Sequence, residues 1–270
     1  MAAQPIVSVS YDEPVETYAT NILGTVHVLE AARKVGGVRV GVFITSDKCY
    51  DNREWVWGYR EDDPMGGNDP YSSSKGCAEL VIAAYRRSFL SGGDKSMSLA
   101  SVRAGNVIGG GDWAPDRLVP DCMRCVMEGR PIEIRRPEAI RPWQHVLEPL
   151  GGYLLLAEKM WACPGEFDEA WNFGPRESDA WPVRDVVEHV VSLWGDQASW
   201  KALSQQQFHE DRYLKLDCSK ARARLGWRPK TDLKTALAWV VDWYKKLQAG
   251  ADVKASSLGQ IEEFMKRKES

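Results

Sequence analysis

The sequence predicts an α/β fold, a parallel sheet flanked by helices followed by a smaller α/β lobe, and three observations carry that prediction. An apolar run from Val38 to Ile44 closes on the polar tetrad Thr45-Ser46-Asp47-Lys48, the pattern of a buried parallel strand with a polar tip. Two long helical patterns flank that strand, at 12–35 and from Tyr71 to about Leu90. From Met97 onward, short strand patterns alternate with helical ones, as a layered α/β domain requires.

Taken in order, Val15, Tyr18, Ile22, Val26, Leu29 and Ala32 recur every three to four residues and predict one amphipathic helix, stopped by Gly36-Gly37. A loop rich in Trp and Gly, 49–69, follows the strand. Pro70 suits the first turn of the next helix, and Ala78, Val81, Ile82, Tyr85 and Phe89 continue it. Residues 97–103 read as a second strand. Gly109-Gly110-Gly111 is followed by Trp113-Ala114-Pro115 rather than by a helix start, so it reads as a flexible turn and not a phosphate loop. Helices are then expected at 118–128, 149–161, 183–194 and 232–248, and strands at 132–135 and 171–173. This divides the chain into a first lobe over 1–110, to which some later segments return, a second lobe over 111–249, and a charged tail, 250–270, expected to be loose.

Composition narrows the function. With 270 residues, 44% of them apolar, the chain can bury a substantial core. A net charge of −3 argues against a nucleic-acid or anionic-membrane partner, while local arginines can still hold a phosphorylated ligand. No apolar run approaches the ~20 residues of a membrane span, and a cytoplasmic protein is expected. The six cysteines are scattered, and Cys122-x-x-Cys125 lacks a second ligand pair, so reduced thiols are expected rather than a zinc site. The four histidines offer neither a triad nor metal-ligand spacing.

The chemistry concentrates at Tyr71 and Lys75. Four residues apart on a helix, they share one face, so the ammonium can sit beside the phenol and help it lose a proton. Among nine tyrosines a Tyr-x-x-x-Lys match is weak by itself and equally describes a surface turn. Its context strengthens it, because Ser46, Asp47 and Lys48 stand at the carboxyl end of a predicted parallel strand, where ligands gather in open α/β sheets.

Four segments carry a family likeness: 45–50 (TSDKCY), 52–59 (NREWVWGY), 103–113 (RAGNVIGGGDW) and 140–146 (IRPWQHV). With Tyr71 and Lys75 they resemble the extended short-chain dehydrogenase/reductase family, and within it the CDP-glucose 4,6-dehydratase subgroup, nearly end to end. The resemblance implies a Rossmann-like parallel sheet with a smaller nucleotide-sugar-binding lobe, NAD as cofactor and CDP-glucose as substrate. It implies candidate catalytic roles for Ser46 (hydrogen bond to the 4-hydroxyl), Tyr71 (base at that hydroxyl), Lys75 (charge beside Tyr71) and Asp47 (acid at the departing 6-hydroxyl). Lys48 stands where dTDP-sugar relatives carry a glutamate base, and either a base at C5 or a cation stabilising the enolate fits it. Cofactor contacts are implied for Ala2, Ala3, Gln4, Tyr71 and Lys75, and substrate contacts for Arg103, Asn106, Arg117 and Arg141, the last through its planar fork on phosphate oxygens. A homodimer formed through the two long helices is implied, although both also read as ordinary sheet-covering helices.

One departure stands out. Residues 1–7 resemble the segment after the fourth strand of the family fold, and no G-x-x-G-x-x-G phosphate turn precedes them. The chain is therefore expected to start mid-domain, as an N-terminally truncated sheet lacking roughly 80 to 90 residues. Two alternatives stay open beside the dehydratase: a nucleotide-sugar epimerase or decarboxylase, and a remnant that binds nucleotide-sugar or dimerises without turnover.

Overall fold

The computed structural model describes residues 3–90, 97–195, 198–203 and 213–268. In chain order the elements are α1 (Val7–Asp12), α2 (Pro14–Tyr18), α3 (Gly24–Val35), β1 (Val40–Ile44), α4 (Pro70–Tyr85), β2 (Ser98–Ala104), β3 (Asn106–Ile108), α5 (Leu118–Met127), β4 (Ile132–Ile134), β5 (Ile140–His145), α6 (Leu147–Ala162), β6 (Ala170–Phe173), β7 (Ala180–Pro182), α7 (Val183–Trp194), β8 (Trp200–Ala202), α8 (Leu233–Gln248) and α9 (Val253–Lys266). They form two units. The first holds the residues up to Gly105 with Leu150–Phe173 and Leu216–Trp227, and the second holds Asn106–Pro149, Gly174–Lys215 and the residues from Arg228 on.

In the first unit β1, β2 and β6 make a parallel sheet in the order β1-β2-β6, with Ile44 opposite Val102 and Ala104 opposite Phe173. The apolar run ending at Ile44 is thus a parallel strand, as its composition predicts. β2 lies in the middle and is buried along its whole length. Side chains alternate across a strand. Ala100 and Val102 join Leu156, Met160, Trp171 and Phe173 in one core cluster, while Leu99 joins Leu29 and Ile82 in another. Ser101 and Arg103 share the parity of Leu99, which turns two polar side chains toward α4.

The helix expected over 12–35 runs without interruption from Pro14 to Val35, but a π-turn at Ala19–Leu23 between α2 and α3 shifts its facing, and Val15 is 81% exposed. The inward face is polar instead, carrying Thr17 and Asn21. Asn21 donates to the Gln4 carbonyl and accepts from the Gln4 N–H, bonds that an apolar-periodicity reading does not register.

In the second unit β3, β5 and β7 form a sheet in which β3–β5 is parallel and β5–β7 antiparallel, and β4 pairs with β8. α5, α7 and α8 cover the core, and α8 supplies Leu233, Ala236, Leu237, Val240, Val241 and Tyr244 to it. The glycine turn expected to be flexible is pinned beneath α8. A Cβ at Gly110 would lie 2.3 Å from the Trp243 ring, and the Tyr244 hydroxyl donates to the Asp112 carbonyl at 2.6 Å.

The tail expected to be loose is helical. Asp252 caps α9, the Trp243 indole donates to Ser257 at 3.0 Å, and Gln260 donates to the Trp239 carbonyl at 2.9 Å. These anchors are polar, so no buried apolar stripe announced the helix in the sequence.

Candidate active site

The site begins where β1 ends. Thr45 extends the parallel ladder by donating its N–H to the Val102 carbonyl at 2.9 Å. The chain then turns sharply through a 3-10 turn, Asp47–Cys49. Ser46 governs that turn: its hydroxyl accepts the Lys48 N–H at 3.2 Å and donates to Asp47 Oδ1 at 3.1 Å. Ser46 and Asp47 are buried and Lys48 is half-buried. Cys49 behind them is sealed, and burial pushes its thiol pKa far up.

α4 starts as its sequence dictates, with Asp69 accepting the Ser72 N–H at 2.8 Å and Pro70 in the first turn. Tyr71, Lys75 and Glu79 follow at helical spacing and are 9%, 7% and 4% exposed. α4 packs on the 47–49 turn, and Gly76 of α4 explains how closely, since a Cβ there would lie 3.3 Å from the Cys49 carbonyl oxygen and 2.9 Å from that of Gly66. The Gly66 N–H donates to the Cys49 carbonyl at 2.9 Å. Gly67 has φ +124°, and a Cβ there would lie 2.3 Å from the Ser73 nitrogen. Ser46, Asp47, Lys48, Tyr71 and Lys75 therefore sit on two abutting segments of the first unit.

Lys75 is the informative group electrostatically. Burial lowers its pKa, opposed by the nearby Cys49 and Glu79. The side chain is 7% exposed and no hydrogen bond within the described chain takes its ammonium, so its donors are available to a ligand that enters the site. Such a group suits a polar ligand such as the ribose hydroxyls of a nicotinamide cofactor, which the residues here therefore fit.

Arg103 requires a correction. Expected to contact substrate, it is spent inside the fold. It donates to Glu79 from Nε and Nη2, each at 2.9 Å, to the Tyr50 hydroxyl at 2.7 Å and to the Glu61 carbonyl at 3.0 Å. Glu79 also accepts from Thr45 at 2.5 Å and Ser101 at 2.7 Å. Burial pushes the Glu79 carboxyl up, but the Arg103, Thr45 and Ser101 bonds together hold it below its ordinary value. Tyr50 passes the network on, donating to Asn172 of β6 at 2.7 Å. Thr45 and Tyr50 stood in the sequence only as members of the 45–50 motif, without a role, and Glu79 and Asn172 were not singled out. The one available signal was Glu79 itself, a carboxylate in an apolar helix pattern four residues after Lys75.

The remaining expected residues are dispersed. Ala2 lies outside the described residues, and Ala3 is exposed. The Gln4 amide is turned inward, donating to Thr17 at 2.8 Å and accepting from the Ile6 N–H, so its side chain is occupied. Asn106, Arg117 and Arg141 belong to the second unit. There Asn106 opens β3, Arg117 pairs with Asp112 at 3.0 Å, and Arg141 donates to the Ile140 carbonyl at 2.9 Å. Among the described residues no group of three His, Cys, Asp or Glu side chains could hold a metal, and no helix is long and apolar enough to cross a membrane.

The chain is similar to known proteins along nearly its whole length. A CDP-glucose 4,6-dehydratase of Salmonella typhimurium is 54% identical over 268 residues, covering 98% of this chain and 75% of the relative. A dTDP-glucose 4,6-dehydratase of Streptomyces antibioticus is 27% identical, covering 92% of this chain and 70% of the relative. Two solved structures share the fold. A dTDP-glucose 4,6-dehydratase of Streptomyces venezuelae, solved with NAD bound, has a TM-score of 0.78 at 23% identity over 93% of this chain and 74% of its own. A UDP-glucose 4-epimerase of Thermotoga maritima has a TM-score of 0.77 at 23% identity over 92% of this chain and 76% of its own. The sequence model described as GDP-mannose 4,6 dehydratase matches residues 1–239, and over that span the strand tip and the Tyr71–Lys75 helix fall within one continuous match. The chain belongs to the GDP-mannose 4,6 dehydratase family.

Proposed function

We propose that the protein is an NAD-dependent dehydratase that converts CDP-glucose to CDP-4-keto-6-deoxyglucose and water. The observation that carries this reading is the abutment of the buried Ser46-Asp47 turn on the buried Tyr71–Lys75 face of α4, in a chain 54% identical to a CDP-glucose 4,6-dehydratase.

Tyr71 Oη takes the proton of the substrate 4-hydroxyl, with the Lys75 ammonium one turn on favouring the phenolate. Ser46 Oγ hydrogen-bonds the same hydroxyl. The chemistry NAD supplies when bound is a hydride withdrawn at C4 and returned at C6, so the overall change is loss of water alone. Tyr71 and Lys75 would hold that cofactor, with Ala3 and Gln4 in the segment beside them. Once C4 is a ketone, C5–H is acidic. Lys48 either takes that proton or stabilises the enolate by its charge, and Asp47 gives a proton to the departing 6-hydroxyl oxygen. Asp47 also supports dehydration over epimerisation at C4, a reaction that needs no acid beside the serine. Arg117 and Arg141 serve the diphosphate and nucleotide.

We propose in addition that the protein is a homodimer through α2–α4 and the π-turn Arg86–Leu90 that follows α4, where Val15, Val28, Leu80 and Phe89 stand exposed on the first unit. Sedimentation of the Leu80→Asp variant as a monomer beside a dimeric parent supports it.

The experiment is incubation of the chain with CDP-glucose and NAD, read by mass spectrometry for a product lighter by one water. Product from the parent and none from Tyr71→Phe supports the reading, and no product from the parent overturns it.

A further inference from the structure

Two segments carry the candidate catalytic groups, the tip of β1 with Ser46 and Asp47, and α4 with Tyr71 and Lys75. Three buried side chains fasten one to the other. The Thr45 hydroxyl, one residue before Ser46, donates to Glu79 Oε1 at 2.5 Å. Glu79 lies one helical turn beyond Lys75 and two beyond Tyr71 on the same face of α4. The Arg103 fork closes both Glu79 oxygens from β2, and its remaining arm holds the Tyr50 hydroxyl at the far end of the turn that Thr45 begins. The 46–50 turn is thus gripped at both ends by one carboxylate–guanidinium pair.

Two points separate this arrangement from ordinary packing. The Thr45 hydroxyl also lies 3.2 Å from the Val102 carbonyl, but the sheet register does not need it, because the Thr45 N–H already meets that carbonyl at 2.9 Å and the hydroxyl's shorter bond is to Glu79. A buried ion pair is also weak evidence for stability, since apolar residues of similar size fill such space at least as well. What the pair supplies is direction: a fully satisfied polar network admits one relative placement of its members, whereas an apolar contact tolerates sliding.

We propose that Thr45, Glu79 and Arg103 are positioning residues that fix the Tyr71–Lys75 face of α4 against the Ser46–Asp47 tip, without touching substrate themselves. For its activity the proposal rests on the dehydratase reading, and for its geometry it does not.

Glu79→Gln leaves the buried Arg103 poorly paired and risks misfolding, so the test uses Thr45→Val, which spares the ion pair and matches the side chain in shape. Thr45→Val is expected to lower kcat about 10- to 100-fold with KM within about threefold, while Tm falls by only a few degrees. Thr45→Ser, which restores the hydroxyl, is expected to recover kcat to within about threefold of the parent. A Thr45→Val enzyme at parental kcat, or one whose loss tracks loss of folded protein, or a Thr45→Ser that does not recover, overturns the proposal. Amide hydrogen exchange on the same proteins needs no turnover. Faster exchange in residues 46–50 and 70–79 together, with α8 unchanged, supports the proposal, and unchanged exchange there overturns it. Should the parent make no product, the dehydratase reading fails alone, and the exchange result decides the positioning role.

Discussion

Asn21 donates from its side-chain amide to Ser74 Oγ at 2.8 Å, and Ser74 immediately precedes Lys75. The same amide donates to the Gln4 carbonyl at 3.1 Å, so one residue braces both the first described segment and the helix of the candidate site. Asn21→Ala strands these buried partners and is expected to cost about 1–3 kcal/mol, measured by urea unfolding. Asn21→Asp, which keeps the acceptor and loses the donor, is expected to fall no closer to the parent than Asn21→Ala.

Lys75→Met removes the buried ammonium while keeping the stem. Dehydration is expected to fall about 10²- to 10⁴-fold, and the protein to become no less stable, since a desolvated charge has been replaced by an apolar end. Mass-spectrometric product assay and thermal melting of one preparation read both effects.

Arg103→Met leaves the Glu79 carboxylate buried among Thr45 and Ser101 without its counter-charge. The expected loss is about 3–5 kcal/mol, and the double variant Arg103→Met/Glu79→Leu is expected to recover a large part of it. Chemical unfolding of both variants checks this. A double variant no more stable than the single one would place the cost in lost packing rather than in the orphaned charge.

Acid sensitivity follows from His145. Burial lowers its pKa to about 4, and its Nδ1 accepts the Leu147 N–H at 3.3 Å, which favours the neutral ring. The unfolded chain binds this proton near pH 6.5, whereas the native chain resists it until about 4. Stability present above pH 6.5 is therefore lost progressively as pH falls toward 4, by an amount on the order of 3 kcal/mol. In His145→Asn, which keeps an acceptor for Leu147, unfolding free energy is expected to be flatter over that window. Glu79, held below its ordinary value, adds its own loss only at more acid pH, as the pH falls through its native pKa.

Gly67→Ala is expected to destabilise by about 3 kcal/mol or more, because it combines φ +124° with a Cβ driven against the Ser73 backbone. The cost should appear in thermal melting and also as lost dehydration, since Gly67 seats on α4 the segment whose Gly66 N–H holds the Cys49 carbonyl.

Tyr71, Lys75 and the Ser46 tip were legible because each obeys a local rule: helical spacing, a proline in the first turn, and an apolar run ending in polar residues. Arg103 was misread because its partner is set by parallel register and strand parity, neither of which is written near residue 103. The π-turn within the first long helix was missed for a related reason, since Thr17 and Asn21 face inward for hydrogen bonds that an apolar stripe does not encode. Gly110 looked mobile because its constraint, the Trp243 ring, arrives from α8, 133 residues later by sequence number. α9 looked like a tail because its anchors are a serine and a glutamine rather than leucines.

Cys49 gives the site a clock. Its sulfur lies under the Ser46–Tyr50 turn with no exposed surface, while Cys163 stands in solvent on the same chain. A thiol reagent marks Cys163 at once and must wait for the turn to lift before it reaches Cys49. With reagent concentrated enough that labelling outpaces reclosing, the rate at which Cys49 is marked is the rate of that opening, read on the native protein without substituting a residue.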